Sequence, residues 1–446
     1  IVRLRGDVVL LERLGATIAE RAGGGKVTLS GRVETKAPAG EDTTIDIETE
    51  GVAFTPELRA QALDRLRQVD QYIDGEIANL RLGLERGYSA PRVTVEAVPD
   101  QARALISDDS IFLNPATRAN DTEFTAELSA IYENEIVPAI NRYADFIEET
   151  YLAEAREEIA LSANRDGDDC YPALVRSFST IQPSAEEIHA LGLRQIESIR
   201  AEMRVTIDEH FGGGPIEEFL RRINIEPEFT FESEDAVLQY AIDGLDAAKE
   251  AMPRAFGNLP KADVIVKPYP DFASSGVGEY HSSSEDGTRP GIYYIAVVEP
   301  EKRTRAWQLS TLYHETYPGH HLQGAISLEL GEKVHPIARY TYYSGFGEGW
   351  ALYAERLADE LGLYRDPLDH IGLYSDQGAR AARLVIDTGI HTMGWTRQQA
   401  VDYMMANTSW SEIDIQNDID RYIAWPGQAT AYMLGMLEIQ RLRALA

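Results

Sequence analysis

Residues 55–82 read TPELRAQALDRLRQVDQYIDGEIANLRL, and their spacing decides the fold class. Thr55 offers a capping hydroxyl, and Pro56 stands in the first turn, where its missing N–H costs nothing. Apolar side chains then return at Leu63, Leu66, Val69, Tyr72, Ile73, Ile77, Leu80 and Leu82, close to the helical period. The spacing predicts a helix over 55–85. Similar patterns recur at 122–163, after Ser184 and Glu187, which form a capping box, and over 232–253 behind Ser233. Long helices in succession, without a βαβ alternation, predict a mainly α protein.

The pattern changes between 260 and 300. Residues 262–268 and 291–297 read as strands, and the Ser- and Gly-rich stretch 274–287 reads as a loop or hairpin connection between them. Helices resume near 301 and continue to the end. The expected organisation is an N-terminal extension of no recognised type (1–54), a helical lobe (55–260), and a catalytic helical lobe (261–446) with a small β element near 262–298. Within the extension, 27–35 alternates like a strand. The glycines at 23–25 read as a turn, because no Gly-Lys-Ser/Thr arrangement follows them.

Composition removes several function classes. Forty-two Lys and Arg face 73 Asp and Glu, a net charge of −31, and no basic stripe is visible, which argues against nucleic-acid binding. No run of about 18 apolar residues exists, so no membrane-spanning helix is expected. A single cysteine, Cys170, excludes a disulfide scaffold and a Cys-based zinc site. The chain opens on Ile1, as a mature or trimmed form would. A bacterial cell envelope or secreted location ranks slightly ahead of the cytoplasm. Oligomeric state is not readable.

Chemistry concentrates in Tyr313-His314-Glu315-Thr316-Tyr317-Pro318-Gly319-His320-His321-Leu322-Gln323. Imidazoles and a carboxylate crowded on one predicted helix are costly to bury unless they bind something. Zinc accepts neutral imidazoles and a carboxylate, and a neighbouring carboxylate can take a proton from water and return it. The usual zincin helix places its second His four residues after the first, but here that position is Pro318. Phase about a regular helix selects His321 as the second ligand. A break at Pro318-Gly319 allows His320 instead, and both stay candidates. Glu348, between Gly347 and Gly349, is the expected third ligand, with Glu355 seven residues on as a supporting partner. By itself, Glu348 would read equally well as a carboxylate favoured by a helix N-terminus.

The segments 314–323 and 348–355 resemble the bacterial family called domain of unknown function 885, which is similar to zinc metallopeptidases of the His-Glu-x-x-His superfamily. Residues 76–88, 187–193, 383–391 and 424–429 agree with it, so the resemblance spans roughly 55–446. It implies a gluzincin-like fold of helices lining a cleft, with one Zn2+ at its base, held by His314, His320 or His321, and Glu348. It also implies peptidase-like hydrolysis of a peptide or small amide, with Glu315 as general base. The rivals are a zinc hydrolase of non-peptide amides and a non-catalytic binding protein on the same scaffold.

Further candidates follow within that frame. His391 is a candidate oxyanion or substrate-carbonyl contact, and Tyr422 and Tyr432 are candidate donors to a tetrahedral intermediate. Each would otherwise be a packing residue. Arg380 and Arg383 suit either a substrate carboxylate or pairing with the chain's many acids. The strand 291–297 could lend an edge to an extended peptide. Glu186-x-x-His189 matches half of a di-iron motif without a second half, and reads as a helix-start carboxylate and a surface His.

Overall fold

Thr55 accepts a hydrogen bond from the Leu58 amide and starts α1 (Pro56–Glu85), as the capping pattern predicts. In this computed structural model the described residues are 55–446 apart from 120, 270–277, 336, 338 and 340. The strand and turn expected within 1–54 therefore lie outside the described residues. The helix expected over 122–163 runs from Thr122 to Glu154 through two π-helical turns, and stops where Ala155 turns extended. Ser184 and Glu187 form the predicted capping box of α2 (Ala185–His210). Ser233 caps α3 (Glu234–Ala251). Helix accounts for 69% of the described residues and strand for 5%, so the fold is mainly α.

Three strands form one small sheet: β1 (Val264–Pro268), β2 (Glu279–His281) and β3 (Gly291–Ile295). Their order is β1-β3-β2, with β3 parallel to β1 and antiparallel to β2. This corrects the expectation of a free edge on 291–297, since β3 is the central strand and hydrogen-bonds on both sides. The short β2 sits inside the stretch read as a loop connection.

Contacts divide the chain into two compact units. In the described residues, the smaller comprises 55–87 and 95–155, and the larger comprises 88–94 and 156–446. The boundary expected at 260/261 falls within the larger unit. There, α3 shares a core with β1 and the following helix α4 (Gln308–Glu315), through Val237, Leu245, Val264, Leu309 and Leu312. The smaller unit has its own core around Leu63, Phe124, Leu128, Ile136 and Ile140.

The remaining elements of the larger unit used below are α5 (His320–Glu329), α6 (Ser344–Glu360), α7 (Pro367–Thr392), α8 (Glu412–Ala424) and α9 (Ala431–Leu445). Helix α7 is buried along nearly its whole length and packs against α2. Helices α6 and α9 cross at Gly349 and Gly435. A Cβ built on Gly349 would stand 2.5 Å from the Gly435 Cα, so the backbones touch there. That close crossing brings Glu348 and Tyr432, each near the contact, onto the wall of one cavity.

Candidate metal centre

Helix α4 ends at Glu315 because the backbone leaves the helical region at Thr316 (φ −113°, ψ −108°). Gly319 then lies flat on the end of α4. A Cβ there would stand 1.9 Å from the His314 carbonyl oxygen and 2.4 Å from that of Tyr313, so no larger residue fits without moving backbone. Trp350 Nε1 donates to the Pro318 carbonyl (3.0 Å) and ties the break to α6. The chain re-enters helix at His320. The single helix expected to carry the whole cluster is therefore two helices joined by a four-residue break, and regular helical phase does not cross it.

The break brings His320, rather than His321, to His314. Their rings meet edge to face with centroids 4.9 Å apart. Oε2 of Glu348 is 3.4 Å from Nε2 of His314 and 3.4 Å from Nε2 of His320. Glu315 joins them, since one ligating atom each from His314, Glu315 and His320 lie within 4.8 Å of one another. His321 turns away. Its Nε2 donates to the Ala262 carbonyl (3.1 Å), which leaves Nδ1 to accept from the Tyr280 hydroxyl (2.9 Å). The reading of His321 as a ligand is corrected on that ground: both ring nitrogens are already used in packing α5 against the sheet.

Supporting groups orient this cluster. His314 Nδ1 is 2.8 Å from Oε1 of the fully buried Glu355, whose Oε2 accepts from Gln377 Nε2 (2.8 Å). Tyr342 donates to Glu348 Oε1 (2.6 Å). Glu355 accepts from Nδ1, so a neutral His314 ring would turn its Nε2 lone pair toward the Glu348 oxygen. Two lone pairs facing each other call for a proton or a cation between them. Burial opposes a charge on His314, yet Glu348 and Glu355 hold its pKa up at about 9. Burial would raise Glu348, but His314 and His320 hold it well below the usual carboxylate range. Burial raises the Glu315 carboxyl against the pull of His320 and His314.

The donor set fits a metal. Ligand atoms about 2.0–2.1 Å from a tetrahedral zinc stand roughly 3.3–3.4 Å from one another. The two 3.4 Å approaches at Glu348 have that length and are longer than a good hydrogen bond.

The sequence profile of a family described as "Bacterial protein of unknown function (DUF885)" matches residues 13–446. The chain belongs to this family. Among solved structures it is similar to "the putative lipoprotein from Colwellia psychrerythraea", with 29% identity and a TM-score of 0.84, over 88% of this chain and 70% of that one. It also shares its fold with "a putative lipoprotein of unknown function from Shewanella oneidensis", with 17% identity and a TM-score of 0.65, over 89% of this chain and 73% of that one. A comparison with curated proteins finds no match.

The remaining candidates of this DUF885 chain are placed as follows. His391 is buried in α7, accepts from the Leu161 amide at Nδ1 (3.1 Å) and donates from Nε2 to the Tyr422 carbonyl (3.1 Å). With both nitrogens engaged and burial pushing its pKa down to about 4, it has no atom to offer a substrate, which corrects that expectation. The Tyr422 hydroxyl is buried between Asp418, to which it donates, and Arg383 Nε, from which it accepts (2.6 Å), so it too is a packing group. Tyr432 lines the cavity beside Glu348. Arg383 pairs with Asp418 (3.1 Å) and Arg380 with Asp376 (3.4 Å), each in a buried setting. His189 is not a surface residue: partly buried, it bonds Thr388 Oγ1 (2.9 Å). Sequence reasoning missed Tyr342, Trp350 and Gln377. Of these, Trp350 lay inside a segment already singled out, 348–355, but with no role assigned to it.

No helix among the described residues is long and apolar enough to cross a membrane.

Proposed function

We propose that this chain is a zinc-dependent hydrolase of peptide bonds, with His314, His320 and Glu348 as ligands and Glu315 as general base. The observation that carries this reading is the pair of equal 3.4 Å approaches from the Glu348 oxygen to the two imidazoles, at the edge length of a tetrahedral zinc site. When bound, zinc supplies a Lewis-acidic centre that polarises a carbonyl and acidifies water. Glu315 suits proton transfer because its carboxyl is raised by burial while it adjoins the ligands. Glu355 and Gln377 fix the His314 tautomer so that Nε2 faces inward. Tyr342 holds Glu348 by its other oxygen, which orients the carboxylate without occupying the ligating atom. A cavity of about 450 Å³ opens beside Glu348 and is sized for a short peptide or small amide. Likeness to the Colwellia psychrerythraea protein, described as a "putative lipoprotein", supports placing this protein at the bacterial cell envelope.

Elemental analysis after zinc loading should find about one zinc per chain. Glu315→Gln should keep the zinc while cutting turnover of a short-peptide library roughly 100-fold or more. A zinc-loaded wild type that cleaves no peptide would leave a binding role instead, and a chain that holds no zinc would end the reading.

A further inference from the structure

The cavity beside Glu348 has a second polar end. Arg421 and Gln428 line it together with Tyr432, Trp425 and Tyr342. Arg421 Nη1 donates to Gln428 Oε1 (2.9 Å) and Nε to Asp418 Oδ1 (3.1 Å). That pairing fixes the Gln428 amide, so its Nε2 points elsewhere. Neither Arg421 Nη2 nor Gln428 Nε2 makes a hydrogen bond among the described residues. Behind this wall lies Arg383, whose guanidinium carbon is 4.5 Å from the centroid of the Tyr432 ring. Its side chain is only 6% exposed, and its Nη1 is buried with no hydrogen-bond partner among the described residues. The same guanidinium stands over the rings of Trp410 and Tyr422, so it acts on the cavity through its charge and not by direct contact. Charge points the same way. Among the described residues Asp418 is the ion-pair partner of both Arg383 and Arg421, so two guanidiniums share one paired carboxylate.

We infer that this wall is an anion subsite and that the substrate is a short peptide carrying a free carboxylate. Arg421 and Gln428 receive the carboxylate from the cavity, and Arg383 supplies field from behind Tyr432. This rests on the hydrolase reading and narrows it: one end of the cavity binds the reacting amide and the other selects for negative charge. Arg421 is a specificity residue here and takes no part in proton transfer. The carboxylate could be a peptide's C-terminus or an acidic side chain.

Binding to the zinc-loaded Glu315→Gln chain separates these points without turnover. Calorimetric titration should compare trialanine as the free acid, trialanine amide, and Ala-Glu-Ala amide. The free acid should bind at least tenfold more tightly than the trialanine amide if the C-terminus is read. Ala-Glu-Ala amide should recover the loss if a side chain is read. Adding Arg421→Gln should bring the acid and amide affinities together. Gln428→Glu leaves the Arg421–Asp418 pair in place and should weaken the acid form selectively, which guards against a folding defect in the Arg421 variant. Equal binding of all three peptides, or a preference that survives Arg421→Gln, overturns the anion subsite and leaves the hydrolase reading standing. No binding of any peptide to a zinc-loaded chain overturns both.

Discussion

Two adjacent histidines in this chain have unrelated jobs. His320 shares an oxygen of Glu348 with His314, while His321 spends both nitrogens on Ala262 and Tyr280. His320→Ala should therefore weaken zinc strongly, whereas His321→Ala should leave zinc affinity within a few-fold and lower stability by roughly 1–3 kcal/mol through unpaired buried groups. Zinc titration and thermal melts of both variants check this, and a His321→Ala chain that loses its zinc would reverse the assignment. A second residue-scale effect lies in α7. Asp387 is fully buried and accepts from the Tyr171 hydroxyl (2.6 Å) and the Gly427 amide (3.0 Å). Burial outweighs these bonds and raises its pKa to about 7. The folded state then holds this proton more tightly than the unfolded state. The group therefore removes stability as pH rises from about 4 to about 7, by at most roughly 4 kcal/mol. Asp387→Asn should gain stability relative to the wild type progressively over that window. A difference between the two that stays constant with pH would contradict it.

At the scale of elements, the site depends on a break between two helices, and that is where sequence reading reached its limit. The caps at Thr55, Ser184 and Ser233 were legible because each is a local contact between residues three apart. Pro318-Gly319 signalled a break. What the break does to His320 is set by Gly319 lying on the carbonyls of Tyr313 and His314, and by Trp350 holding Pro318 from another helix. Those contacts carry no periodic signature. The three-residue strand β2 was hidden for a similar reason, being too short to show alternation and defined by its pairing with β3. His391 misled because its sequence neighbours said nothing of the Leu161 amide, which is 230 residues away in the chain. The break also yields a sharp contrast between glycines. Gly319→Ala must push apart backbone atoms of α4 and should cost several kcal/mol and most of the zinc affinity. Gly324→Ala, inside α5 with nothing within 4 Å of the new methyl, should be neutral or stabilising by up to about 1 kcal/mol. Equal effects of the two on zinc binding would mean that the close approach at Gly319 does not position His320.

For the whole molecule, the proposed metal acts as a tie among α4, α5 and α6, all in the larger unit. Its ligands come from helices joined by a break and by a long intervening segment, so a bound ion would stabilise their arrangement by mass action. The five tryptophans, at 307, 350, 395, 410 and 425, all lie in the larger unit, which makes their fluorescence a reporter of that unit alone. Saturating zinc at about 100 times its Kd should add about 2.7 kcal/mol to the unfolding free energy seen by tryptophan. Chelation should lower the corresponding midpoint by several degrees. The shift should vanish in Glu348→Gln, which replaces the shared oxygen set with a weaker amide ligand, and should persist in Glu315→Gln, which removes only the base. Surface charge cannot produce that pattern, because each variant changes the net charge of −31 by the same single unit. If chelation moved the midpoint equally in wild type and Glu348→Gln, the effect would belong to zinc bound elsewhere on an acidic surface, and the assignment of His314, His320 and Glu348 as one centre would fall.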